Sequence, residues 1–190
     1  MIRTLPLADR NRLAEVILAA LHDAGARREL AALAGDGPAA AAWLGATARA
    51  DAALLRARAA SASAALAGRA TGGAADSLAA LLDDAAALWA ARCFFEVHEL
   101  LEPAWRAADG EAREILKGFV QAAVGYQHLA NGNLAGARAL LAEGTARLHG
   151  RRLGGTDLDP FARALSETLV DLDGFDWTSV PPFPRLSGGG

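Results

Sequence analysis

From position 94 to position 105 the chain reads Phe-Phe-Glu-Val-His-Glu-Leu-Leu-Glu-Pro-Ala-Trp, so one histidine and three glutamates interrupt an otherwise apolar run. Burying a charge without a partner is strongly unfavourable, and ionisable groups in such a run form either a chemical site or a costly structural network. On a helix advancing about 100° per residue, His98, Glu102 and Trp105 fall within an arc of about 60°, flanked by Phe94 and Phe95. His98 and Glu102 are thereby placed beside large apolar side chains. Glu96 points about 120° or more away from both and is read as solvated or locally paired, with Glu99 between the two cases. Downstream, Gln121, Gly125 and His128 form one stripe at i, i+4 and i+7, with Gly118 beside it. A helical glycine costs about 1 kcal/mol relative to alanine, so two in one stripe predict the close approach of another backbone. If that neighbour is the helix of residues 94–105, His98, Glu102, Gln121 and His128 converge.

Three roles are open to such a group. His98, His128 and Glu102 are candidate ligands of a divalent metal such as zinc or iron, with a position left for water or substrate. Alternatively, His98 acts as a general base oriented by Glu102 or Glu99, its pKa tuned by apolar surroundings. The third role is an interhelical hydrogen-bond network that fixes packing and catalyses nothing. Known motifs do not choose among them. Glu102 stands where a second histidine would complete a zincin motif, and His-x-x-x-Glu on one helix is not the paired Glu-x-x-His of ferritin-like centres. Phosphate loops, nucleophile elbows and dinucleotide fingerprints are missing from the sequence. Lys117, His22 and His149 are read as solvated, and Trp43, Trp89, Trp105 and Trp177 as core fillers.

The elements that must position these groups are helical. Of 190 residues, 53% are hydrophobic, enough for a sizeable core. Much of that fraction is alanine, while β-branched and aromatic residues are scarce, so the fold class is all-α. The net charge of −3 is spread along the chain with no basic block, which argues against nucleic acid. Cys93 is alone and is read as a small buried hydrophobe, without disulfide or zinc motif. Residues 1–12 carry early charges and do not read as a secretory signal, and no apolar run reaches the roughly 20 residues of a membrane span. A soluble, cytoplasmic protein is expected.

Glycine and proline divide the chain. Residues 7–34 read as one or two helices ended by Gly35-Asp36-Gly37-Pro38, and residues 39–70 as an alanine-rich helical stretch. Thr71-Gly72-Gly73 marks a boundary between an N-terminal region, 1–71, and a core domain, 76–175. Asp76 or Ser77 caps the next helix, and Pro103 predicts a kink or boundary near Leu101 and Glu102. Residues 111–130 and 134–148 form an antiparallel pair about Asn131-Gly132-Asn133, similar to a single tetratricopeptide hairpin. A last helix covers 161–172, with Asp159 as cap and Pro160 in its first turn. In the tail, 176–190, Trp177, Phe183 and Leu186 pack back on the body and residues 187–190 are disordered.

The run at 94–105, then Leu116-Lys117-Gly118-Phe119-Val120-Gln121, then Gly132-Asn133-Leu134-Ala135-Gly136-Ala137 resembles domain-of-unknown-function family 309 over residues 76–172. The resemblance implies a compact bacterial or archaeal helical bundle of about five helices and supplies no activity. Its signature positions are Glu96, His98, Glu99, Glu102, Trp105, Gly118, Gln121, Gly132 and Asn133. Pro103 departs from the usual pattern, and His128 lies outside it.

Together these features describe an all-α bundle preceded by an alanine-rich region that packs on it or mediates self-association. The functional reading is a binding or interaction module using the groove beside Asn131-Gly132-Asn133, with a protein partner expected; a homo-oligomer formed through the alanine-rich stretch 39–70 is a separate expectation. The alternative is a metal-dependent or His/Glu hydrolase-like enzyme centred on His98 and Glu102, with a divalent metal as its cofactor. An enzyme needs a water-accessible pocket at His98, whereas a network needs its polar atoms satisfied.

Overall fold

The computed structural model describes residues 4–46, 48–73 and 75–186. The expectation for residues 187–190 lies outside them, as do the first three residues of the chain. The fold is predominantly all-α. Helices α1 (Leu7–Ala20) and α2 (Ala24–Ala34) come first, with Asp23 capping α2 through the Ala26 amide at 2.6 Å. The alanine-rich stretch is not one element. It divides into α3 (Ala39–Trp43), a 3-10 turn at Arg49–Asp51 and α4 (Ala52–Leu66).

Five further helices follow: α5 (Leu78–Ala90), α6 (Phe94–Ala107), α7 (Gly110–Ala130), α8 (Leu134–Leu148) and α9 (Asp159–Thr168). Ser77, not Asp76, caps α5, its Oγ accepting from the Ala80 amide at 3.2 Å. Between α8 and α9 lies an antiparallel pair of two-residue strands, Arg152–Leu153 and Thr156–Asp157, whose signal in the sequence is the Gly154-Gly155 pair that makes the turn at φ 52° and 82°. Asp159 begins α9 without capping it, because its carboxylate accepts from the Gly150 amide at 2.6 Å.

The break ahead of the candidate site falls at Arg92, not at Pro103. Arg92 has φ 59°, the one left-handed non-glycine residue among those described. Its amide donates to the Trp89 carbonyl at 2.8 Å and the Cys93 amide to that of Leu88 at 2.9 Å, a left-handed helix stop usually built on glycine. An L side chain there costs about 1–2 kcal/mol. Pro103, by contrast, lies inside α6 on its exposed face, where water can satisfy the carbonyl that loses a partner.

One cluster of buried apolar residues runs from Leu5 to Phe183. Helix α7 packs on both α6 and α8, α1 on α2 and α6, and α4 on α5. At the centre Trp89, 2% exposed, meets Phe94 edge-on at 5.0 Å and Tyr126 at 5.2 Å. The C-terminal segment closes over it: Phe183 lies 5.2 Å from the Trp89 ring, whose Nε1 donates to the Pro181 carbonyl at 2.7 Å. Trp177 and Leu186 pack against the same cluster, as the sequence suggested. Among the described residues no helix is long and apolar enough to cross a membrane.

Candidate functional site

Helix α6 has three chemically different faces. Phe94, Val97 and Leu101, at i, i+3 and i+7, are buried in the core. His98, Glu99 and Glu102 form a half-buried group, with side chains 24%, 38% and 25% exposed. His98 Nδ1 stands 3.1 Å from Glu99 Oε1 and Nε2 stands 4.0 Å from Glu102 Oε2, while the other Glu102 oxygen accepts from Arg106 at 2.6 Å. One ligand atom from each of the three lies within 4.8 Å of the others. An imidazole with two carboxylates suits zinc or another first-row divalent ion, with the remaining positions left to water.

Glu96 occupies the third face and is not solvated: it is fully buried, 0% exposed. The reason lies in the N-terminal region. Helix α4 brings Arg58 to 3.9 Å from Glu96 Oε2, and α1 covers the same side of α6, with the Arg10 guanidinium stacked 4.2 Å over the Phe95 ring. Neither Glu96 carboxylate oxygen has a hydrogen-bond partner of good geometry. Burial pushes its pKa up; the charges of Arg58 and Arg10 and the residue's own amide oppose that rise, and Glu99 adds to it. The thiol of Cys93 is also driven up by burial, with Glu96 reinforcing the effect, so it remains a protonated, unreactive hydrophobe.

Gln121 and His128 do not join His98. The glycine stripe does mark a close approach, but the partner is α8. A methyl group on Gly118 would meet Leu148 at 2.9 Å, and one on Gly125 would meet Leu141 at 2.7 Å. A third glycine, Gly144 on α8, completes the seam, its methyl position 2.9 Å from the Gly118 carbonyl oxygen. The seam carries Gln121 to α8, where its amide donates to Glu143 and its oxygen accepts from Arg147 Nε at 2.9 Å. Arg147 also pairs with Glu114. His128 Nδ1 lies 3.0 Å from Asn133 Nδ2, and Asn133 Oδ1 accepts from the Gly136 amide at 3.0 Å to cap α8. Gly132, at φ 73°, makes the turn. The His128 ring thus lies at the α7–α8 turn against Gly136, outside the group formed by His98, Glu99 and Glu102.

Trp105 closes the far end of α6. Arg113 on α7 lies 5.5 Å from its ring and donates to the carbonyls of Trp105, Arg106 and Ala108 at 3.1–3.3 Å, satisfying the end of the helix. His22, read as solvated, instead donates from Nε2 at 2.8 Å to Asp84, a buried carboxylate that Arg69 also holds. That contact ties the α1–α2 turn to α5.

At the other end of α6, beside the α7–α8 turn, a cleft of about 460 Å³ opens among Phe94, Leu129, Gly132, Leu134 and Trp177. Arg92, Leu172, Asp173 and Phe175 complete much of its wall. The turn was legible in the sequence, but the aromatic wall comes from the C-terminal segment, whose place could not be read from spacing.

The architecture is thus a helical bundle with a half-buried His/Glu group on one helix and a cleft at that helix's start. Residues 82–140 match the model of a family described as a domain of unknown function (DUF309), and the match contains every signature position named above. Neither a curated protein nor a solved structure matches the chain.

Proposed function

We propose that this chain is a ligand-binding helical module whose site is the cleft beside the Asn131-Gly132-Asn133 turn. The observation that carries the reading is the cleft itself: about 460 Å³ walled mainly by apolar and aromatic side chains from α6, the α7–α8 turn and the segment after α9. That volume falls in the range of small-molecule sites, and convergence of separate chain segments is usual for them. The test is titration with phenylnaphthylamine, an uncharged apolar fluorophore, comparing the parent with Ala130→Trp, which sets an indole at the cleft wall. Saturable binding in the parent, weakened at least tenfold in the variant, supports the reading. Equal binding by both proteins refutes it.

A second reading is favoured by the three donor atoms of His98, Glu99 and Glu102 gathered within 4.8 Å. In it α6 holds a divalent cation, with Arg106 orienting Glu102 from outside the coordination sphere. Elemental analysis of protein purified without an affinity tag tests it. Stoichiometric metal in the parent and none in His98→Ala is the expected result, and no metal in either protein refutes it.

A further inference from the structure

Arg92 breaks a local rule at the mouth of the proposed cleft. The helix stop it forms needs a left-handed residue, glycine serves that geometry without steric cost, and arginine stands there instead. No backbone contact requires its side chain. Strain of this kind is retained where the side chain has a use. The Arg92 guanidinium lies 5.5 Å from the ring of Trp177, a wall residue of the main cleft, and Arg92 itself lines that cleft and two neighbouring ones of about 300 and 310 Å³. Among the described residues it has no ion-pair partner within bonding distance. The nearby carboxylate of Asp176 is committed to Thr178, accepting from its amide at 2.8 Å and its hydroxyl at 2.6 Å.

The inference rests on the cleft reading above and adds the chemistry of the occupant. We propose that the cleft binds an organic monoanion, its apolar body against Phe94, Leu129, Leu134 and Trp177 and its charged group paired with Arg92. A carboxylate or sulfonate on an aryl or alkyl frame has this chemistry. Asp173, also in the wall, adds a negative charge whose repulsion grows with the charge of the occupant, which favours a monoanion over a dianion. Arginine suits the role because its planar donor fork matches a carboxylate or sulfonate while its face stacks on an indole.

The test compares anilinonaphthalene sulfonate with phenylnaphthylamine, which shares the aromatic frame and lacks the charge, on the full chain and on Arg92→Gly. In the parent the sulfonate should bind about tenfold or more tighter than the amine, as a charge-assisted hydrogen bond provides. Arg92→Gly should abolish that preference, leave amine binding within about twofold, and raise the melting temperature by about 2–4 °C as the backbone strain is relieved. Higher stability with lost anion binding is an outcome that a packing role for Arg92 does not produce. Equal affinity of the parent for both probes, or sulfonate binding unchanged in Arg92→Gly, overturns the inference while leaving the cleft reading in place. A variant that melts lower and still binds the sulfonate assigns Arg92 to the fold and overturns it too. Failure of both probes to bind the parent removes the cleft reading and the inference together.

Discussion

Replacing Gly144 by alanine sets two effects of known sign against each other. By intrinsic propensity alone, alanine in the middle of α8 should stabilise the helix by about 1 kcal/mol. The added methyl, however, would sit 2.9 Å from the Gly118 carbonyl oxygen and 3.2 Å from the Ala122 amide nitrogen, both backbone atoms of α7. Backbone cannot rotate aside as a side chain can, so relief requires α7 and α8 to separate and loosen Leu141 and Leu148, both fully buried. Overpacking of this kind costs about 1–3 kcal/mol and exceeds the propensity gain. The expected net loss is up to about 2 kcal/mol, read as a lower urea midpoint with unchanged slope. Gly125→Ala presses on the Leu141 side chain at 2.7 Å and its amide nitrogen at 3.2 Å, and should cost less. Gly118→Ala meets side-chain atoms of Leu148 and Arg147 and should cost least. A stabilised Gly144→Ala, or three variants with the same midpoint, would refute the close-packed seam.

Two other predictions address α6. The folded-state pKa of Glu96 lies above its ordinary value of 4.5 because burial penalises the charge, so above that pH the unfolded chain releases a proton the folded chain retains. This contribution makes stability fall as pH rises from 4.5, by up to about 1.4 kcal/mol per pH unit, until Glu96 ionises in the fold. Glu96→Gln should remove that slope, gaining on the parent as pH rises above 4.5 in paired denaturation curves; parallel profiles would contradict it. His98→Ala should cost under about 1 kcal/mol, since Glu99 and Glu102 keep access to water once the imidazole is gone. A melt showing a loss above about 2 kcal/mol would restore the buried-network role.

The helical class, the α7–α8 turn and the His98, Glu99, Glu102 group could be read from local sequence, because propensity, caps and the 3.6-residue period act over a few positions. Glu96 could not. Its environment is supplied by Arg58 on α4 and by α1, dozens of residues away, and a helical wheel drawn for α6 alone carries no information about them. The glycine stripe correctly signalled a close approach, but spacing does not say which helix approaches; the matching Gly144 on α8 was the signal overlooked. Pro103 suggested a break that its exposed position made unnecessary, whereas the actual stop rests on Arg92, a residue type with no turn preference to announce it.

The indole of Trp89 binds the ends of the chain's story together. Its nitrogen donates to Pro181, and its faces meet Phe161 and Phe183, yet the segment that matches the family model stops at residue 140. The matched segment is therefore smaller than the unit that packs around Trp89. A fragment cut at the family boundaries would keep the signature residues and leave its largest aromatic side chain without a lid, so activity searches on such a fragment would sample a different, partly unpacked molecule.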